Sequence, residues 1–279
     1  MISFPNCKIN LGLHIVNKRA DGFHNLETIF YPIPLNDAVE IITSSSTNAV
    51  TYSTTGNTID GAAEDNLCIK AYHLLKKDFP NLPNIKLHLH KVIPTGAGLG
   101  GGSADAAFAL KLINDKYQLN LSTSKLLNYA LQLGSDCPFF IINKPCFASG
   151  RGEVLEELEL DLSAFKFVLI NPNIHVNTGW AFGELAKGSD VSKLSDHYKK
   201  TIKEIIQQPI TTWRENLSND FEKVVFEKHP TIKNIKEELY KQGAIYAAMS
   251  GSGSTVFGIF NKETDLLLNI DSQYFIKEI

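Results

Sequence analysis

The order of elements in this sequence predicts an α+β fold, and three observations carry the prediction. Alternating apolar and polar residues fill the first third of the chain with strands. A glycine-dense stretch at residues 96–103 then opens an Ala- and Leu-rich helix, and the second half mixes strands and helices without a regular strand–helix repeat. A doubly wound sheet would need that repeat throughout.

Residues 8–15 alternate, with Ile9, Leu11 and Leu13 on one face and Lys8, Asn10, Gly12 and His14 on the other. A turn at Arg19-Ala20-Asp21-Gly22 follows, then strands at 28–31 and 38–42 and a polar loop at 44–48. Residues 66–77 have helical spacing through Leu67, Ala71, Leu74 and Leu75, and Pro80 and Pro83 end that helix. The stretch 85–93 alternates again, with Ile85, Leu87 and Leu89 facing inward, and runs into Pro94. Helices are expected at 104–117 and 124–133. Near residues 151–157 the chain turns from Gly- and Ala-rich to charged, which sets an expected boundary between domains 1–155 and 156–279. Beyond it come a strand at 165–171, helices near 201–207 and 232–242, and a short apolar strand after Gly253.

Composition narrows the function. With 279 residues the chain suits two modest domains, each able to bury a core. The net charge of −3 lacks the basic excess of a nucleic-acid binder, so an anionic substrate would need a locally positive pocket of lysines, backbone N–H groups and a metal ion. Cys7, Cys68, Cys137 and Cys146 form no C-x-x-C pair, which argues against zinc-ribbon and thioredoxin-like chemistry and fits a reducing compartment. The first residues lack the order of a signal peptide, and no apolar run is long enough for a bilayer. The expectation is a soluble cytoplasmic protein whose partners are neither nucleic acid nor membrane.

The segment Gly96-Ala97-Gly98-Leu99-Gly100-Gly101-Gly102-Ser103 lies between a strand and a helix, where phosphate-binding loops lie. Gly96, Gly98 and Gly101 match the dinucleotide fingerprint, but that reading wants an acid about twenty residues on, at the end of the next strand. Asp115 instead sits at the tail of the helix. The P-loop pattern fails because Gly102 stands where its lysine must be. What remains is the physics common to such loops. Residues without Cβ let backbone N–H groups close on an anion, and the helix start adds free donors and its dipole. A flexible glycine turn is the plainer alternative.

Phosphoryl transfer to an alcohol needs held phosphates, neutralised charge and an acceptor for the hydroxyl proton. Asp136, in Leu133-Gly134-Ser135-Asp136-Cys137-Pro138-Phe139, is either such a base or a helix cap; Lys8 is either its charge partner or an edge lysine. His88 and His90 share a strand face, but with no third ligand in view they read as a solvent-facing pair.

Several segments together resemble the GHMP kinases. The stretch from Pro94 to Ala107 resembles their second motif, P-x-x-x-G-L-G-x-x-S-x-x-A, and Pro5-Asn6-Cys7-Lys8-Ile9-Asn10-Leu11 resembles the first, with Cys7 in place of a common alanine. Ser250-Gly251-Ser252-Gly253-Ser254-Thr255 resembles the third, and Leu217-Ser218-Asn219-Asp220-Phe221-Glu222 an N-D-[FL]-E element read as structural. Arg19-Ala20-Asp21-Gly22-Phe23-His24 is similar to the R-x-D-G-[YF]-H segment of the diphosphocytidyl methylerythritol kinases within that superfamily.

The resemblance implies two subdomains: an N-terminal one like domain 2 of ribosomal protein S5, and a C-terminal ferredoxin-like α/β sandwich. It implies ATP as phosphoryl donor, with magnesium, and a cytidine-diphosphate-linked polyol as acceptor of the phosphoryl group on its 2-hydroxyl. Asp136 would be the general base and Lys8 its partner. Pro94, Gly96, Ala97, Gly98, Leu99, Gly100, Gly101, Gly102 and Ser103 would hold the phosphates, with Asn66 and Lys91 near the adenine. Phe23 and Phe182 would sandwich the cytosine, His24 would bond its edge, and Asn10 and Thr178 would lie near the polyol. No protein ligand for the metal is evident, because Gly101 and Gly102 occupy the positions where related kinases carry a serine. A monomer or weak homodimer is expected. The competing readings are a homoserine or mevalonate kinase of the same superfamily, and a catalytically silent ligand sensor on the same fold.

Overall fold

The computed structural model describes residues 1–188 and 200–279. The chain forms two compact units with interleaved segments: the first comprises Met1–Lys8, Pro32–Thr95 and Gly100–Lys144, and the second Ile9–Tyr31, Gly96–Leu99 and Pro145–Ile279. The chain enters the second unit for the last time at Pro145, eleven residues before the expected start of the second domain, and that unit also takes up a hairpin and four loop residues from the first half.

The first unit is built on a four-stranded sheet of order β1-β4-β6-β5, with β1 (Ile2–Ser3), β4 (Ala38–Thr43), β5 (Val50–Gly56) and β6 (Ile85–Lys91). β6 is antiparallel to β4 and parallel to β5. Period 2 buries Ile85, Leu87 and Leu89 on one face of β6, while Lys86 and His90 are exposed on the other. Lys91 is in phase with the buried face. Helices α1 (Leu67–Asp78), α2 (Gly101–Lys116), α3 (Thr123–Leu133) and α4 (Cys137–Ile142) pack on one another, with α2 in contact with the other three. The small side chains of Ala104, Ala106, Ala107 and Ala109 on α2, all fully buried, permit that close approach.

β5 differs from the sequence expectation, which had no strand there. Val50-Thr51-Tyr52-Ser53-Thr54-Thr55-Gly56 carries little apolar alternation because it is an edge strand, held by its parallel ladder to β6.

The second unit contains two sheets. One has the order β2-β3-β7-β8, formed by β2 (Asn6–Lys18), β3 (His24–Asn36), β7 (Cys146–Ser149) and β8 (Val154–Glu157); β2 and β3 each run from one unit's sequence into the other's. The other is fully antiparallel, of order β10-β11-β9-β12, with β9 (Phe165–Asn171), β10 (Tyr246–Met249), β11 (Val256–Asn261) and β12 (Phe275–Glu278). Short helices α6 (Ile202–Ile206) and α7 (Trp213–Asn216) accompany α5 (Thr178–Gly188), α8 (Phe221–Lys228) and α9 (Pro230–Lys241).

One core joins this sheet to three helices. It gathers Val168 and Ile170 of β9, Met249 of β10, Val256 and Phe260 of β11, Ala181 and Leu185 of α5, Phe221 and Val225 of α8, and Ile232, Ile235 and Leu239 of α9. The i, i+3, i+7 spacing of those last three turns one face of α9 inward, and each buried side chain stabilises the fold by roughly 1.5–3 kcal/mol. α5 was not expected from the sequence. Gly179 and Gly183 lower its intrinsic helicity, and burial of Ala181 and Leu185 overrides that deficit.

Candidate active site

In the first unit Lys8 and Asp136 meet: Nζ lies 3.3 Å from Oδ2, with the lysine side chain 5% exposed and the carboxylate 34%. Local sequence explains the arrangement. Asp136 stands at the N-cap position of α4, and Pro138 favours a helix start there, yet its side chain makes no capping hydrogen bond. The carboxylate is therefore turned to Lys8 rather than consumed by its own helix. The buried ammonium orients a carboxylate that stays partly open to solvent.

Gly100 lies against the lysine of this pair. Gly100 has φ +70°, and a Cβ there would come within 3.0 Å of Phe140 Cζ and 3.1 Å of Lys8 Cε. α2 begins at the next residue, with Gly100 as a left-handed cap and no side chain bonding the first N–H groups. Those donors are available to an anion. Ser103, in the first turn, hydrogen-bonds the Cys137 thiol, which burial pushes up to about 12. Nothing lies within 4 Å of a Cβ built on Gly102.

The two adenine candidates both lie in the first unit. Asn66 caps α1: Oδ1 accepts from the Cys68 N–H at 2.9 Å, and Nδ2 donates to the Tyr52 hydroxyl at 2.9 Å. The Lys91 ammonium is 2% exposed at the side chain and lies between Asp37 and Asp105, 2.7 Å from Asp105 Oδ2. Sequence reasoning missed both aspartates, although a signal existed: Lys91 alternates in phase with Ile85, Leu87 and Leu89, and a lysine on a buried face requires anionic partners.

In the second unit Gly96–Leu99 lies on the turn that follows β10. The Ser250 hydroxyl donates to the Gly98 carbonyl at 2.8 Å, and the Thr255 N–H donates to the Ala97 carbonyl at 3.2 Å. The Asn10 N–H donates to Ser250 Oγ at 3.2 Å, and Asn10 Nδ2 donates to Thr28 Oγ1 at 3.0 Å. Asn219, from the N-D-F-E element, donates to the carbonyls of Met249 and Gly251 at 2.7 and 2.8 Å, so that element braces the turn. The Thr178 and Ser252 hydroxyls lie 2.7 Å apart.

The aromatic group differs from an open pair of facing rings. His24 is stacked on Phe182, with centroids 4.8 Å apart and planes 9° from parallel. Phe182 also meets Phe221 edge-on. Burial and the Lys18 charge hold the His24 imidazole below its ordinary range, so near pH 7 it is neutral, with one nitrogen donating and the other accepting. Phe23 is 55% exposed, and the Arg151 guanidinium lies over its ring at 5.1 Å. The turn before it is set by Arg19, whose guanidinium holds the Asp21 carboxylate below its usual range, and by Gly22 at φ +86°. His88 and His90 share contacts to the Thr55 hydroxyl at 3.0 and 2.9 Å.

Fold and site define a class. The family model described as "GHMP kinases N terminal domain" matches residues 66–144, and "GHMP kinases C terminal" matches residues 201–268. The "4-diphosphocytidyl-2-C-methyl-D-erythritol kinase" of Bacteroides fragilis is 52% identical over 265 residues, covering 94% of this chain and 93% of that protein. The crystal structure of a 4-(cytidine 5'-diphospho)-2C-methyl-D-erythritol kinase superposes with a TM-score of 0.77 at 28% identity, over 93% of this chain and 90% of that one. The Methanococcus jannaschii mevalonate kinase shares the fold at 15% identity, with a TM-score of 0.74 over 100% of this chain and 97% of its own. The chain belongs to the GHMP kinases and, within them, to the family of 4-diphosphocytidyl-2-C-methyl-D-erythritol kinases.

Proposed function

We propose that this chain transfers the γ-phosphoryl group of ATP to the 2-hydroxyl of 4-diphosphocytidyl-2-C-methyl-D-erythritol, giving the 2-phosphate and ADP in the non-mevalonate route to isopentenyl diphosphate. The observation that carries the chemistry is the Lys8–Asp136 pair, 3.3 Å apart, with the acid partly open and its helix-capping capacity unused.

The Asp136 carboxylate takes the proton of the 2-hydroxyl as that oxygen bonds to the γ-phosphorus. The bond from phosphorus to the β,γ-bridging oxygen breaks, and ADP leaves with that electron pair. Lys8 orients Asp136 and lowers the cost of alkoxide character on the attacking oxygen. The backbone N–H groups of residues 96–103 hold the phosphates, aided by the start of α2. Asn66 contributes near the adenine, Asn10 and Thr178 near the polyol, and His24, Phe23 and Phe182 take the cytosine by stacking and edge bonds.

Magnesium accompanies ATP as part of the donor. Among the described residues no group of three or more His, Cys, Asp or Glu is placed to hold a metal ion. The reading is of a cytoplasmic enzyme acting as a monomer or weak homodimer on a small molecule; separately, no described helix is long and apolar enough to cross a membrane.

A coupled ADP-release assay with ATP, magnesium and the diphosphocytidyl substrate tests the reading, run beside mevalonate and homoserine. Turnover with the cytidyl substrate alone is expected. Turnover with mevalonate or homoserine instead would move the chain to another branch of the superfamily, and ATP binding without turnover would point to a sensor.

A further inference from the structure

Three buried charges lie under the first turn of α2. Lys91 is the last residue of β6, Asp37 sits between β3 and β4, and Asp105 is on α2; all three are at most 3% exposed. Asp37 is fully engaged. Its Oδ1 accepts from the N–H groups of Val92 and Ile93 at 2.6 and 2.8 Å, and its Oδ2 accepts from Lys91. Asp105 is not. Its Oδ2 accepts from Lys91 at 2.7 Å, but its buried Oδ1 has no hydrogen-bond partner. A Cβ on Gly101 would come within 2.9 Å of Lys91 Nζ, so the ammonium lies directly against the residue that starts the helix.

The charge count has a consequence. One ammonium and two ionised carboxylates leave a net charge of −1, buried and uncompensated, which is costly in a poorly solvated site. The neighbouring titratable groups cannot offset it: burial raises the thiol of Cys68 on α1 well above its usual value and raises the phenol of Tyr52 on β5, so both are neutral at pH 7. Lys91 stays charged, because its two carboxylates outweigh the burial that opposes the charge. The group left to respond is Asp105, which burial, reinforced by the Asp37 charge and opposed by Lys91, pushes up to about 7.

We propose that Asp37, Lys91 and Asp105 form a proton-responsive support for the nucleotide phosphates, in which loss of the Asp105 proton leaves negative charge beneath the anion-binding start of α2 and weakens ATP binding. The inference rests on the reading of residues 96–103 as the ATP loop. Asp105 acts here as a positioning residue: it touches no substrate and works through the field and placement of the helix start. With Asp105 protonated the cluster is neutral, and the dipole of α2 acts on the triphosphate unopposed.

The first test is calorimetric titration of the full-length protein with magnesium-ATP, without acceptor, at pH 7.5 in two buffers of different ionisation enthalpy. Magnesium-ATP is fully ionised there, so protons taken up on binding belong to the protein. Net uptake is expected; binding without uptake would overturn the proposal. Absence of binding from pH 6 to 8.5 would overturn the ATP reading itself, and this inference with it.

A second test follows KM for ATP from pH 6 to 8.5 in the natural protein and in Asp105→Asn, which keeps shape and removes the titration. In the natural protein KM is expected to rise about fivefold through pH 7, the scale of one unit charge acting across a protein interior at several ångströms. In the variant KM should stay near the low-pH value throughout, with the KM for the alcohol following the same pH course in both proteins. A variant that keeps the natural slope, or that binds ATP weakly at every pH, would reduce the cluster to a packing element.

Discussion

A Cβ on Gly98 would lie 2.0 Å from the carbonyl oxygen of Ser250. The glycine loop and the turn after β10 are therefore in backbone contact, and the first can take its course only because residue 98 has no side chain. Gly98 also has φ +79°, a conformation that other residues adopt at a cost.

Gly98→Ala should consequently distort the loop and raise KM for ATP more than tenfold. Gly102→Ala is the matched control, since no atom lies within 4 Å of its Cβ and its φ is not positive. ATP titrations of the two variants check this; equal affinities would mean that the Gly98–Ser250 contact has no bearing on the nucleotide.

Asp136→Asn should lower kcat by about 10²–10⁴-fold, the usual scale for a positioned base, while ATP affinity changes little. Lys8→Met should lose activity as well, because it leaves the carboxylate without the cation 3.3 Å away. Single-turnover kinetics with calorimetric ATP binding separate chemistry from affinity, and an Asn variant of near-normal kcat would remove Asp136 from the role of base.

His24→Ala uncovers the face of Phe182 on which the imidazole is stacked at 4.8 Å. The expected effect is a rise in KM for the cytidyl substrate with KM for ATP unaltered. A His24→Phe variant keeps the stack and loses the hydrogen-bonding nitrogens, so comparing the two separates stacking from recognition of the base edge.

Asn219→Ala removes an amide that satisfies two buried carbonyls, those of Met249 and Gly251. Leaving them unpaired should destabilise the protein by about 1–3 kcal/mol for each carbonyl, measured by urea unfolding. Asn219→Asp should be worse, because a carboxylate cannot donate to either oxygen.

Burial pushes the His14 imidazole down to about 4, against an ordinary value of 6.5. As pH falls, the unfolded chain takes up its proton first, so the stability tied to neutral His14 is fully present above pH 6.5 and is lost between 6.5 and 4. Thermal melts across that window should fall less steeply in His14→Gln than in the natural protein.

Much of the fold was legible, and the failures have physical reasons. The strand at 165–171 was read at the bounds the structure shows, and the helix at 124–133 to within one residue, because an apolar run between breakers and a helical period are local signals. β5 and α5 were missed because edge pairing and core burial, not propensity, hold them in place. At the site, every glycine of residues 96–103 and both members of the Lys8–Asp136 pair were singled out. The aspartates that pair with Lys91 were not foreseen, although its strand phase already pointed inward.

The sequence by itself determined which elements form and which chemical groups exist, since capping, alternation and glycine placement act within a few residues. Tertiary structure alone decided which groups meet. Ser250 reaches Gly98 across 152 positions, and Lys91 reaches Asp37 across 54. Such pairings carry no local signature, because they come from the packing of whole sheets and helices whose register is fixed only when the core closes.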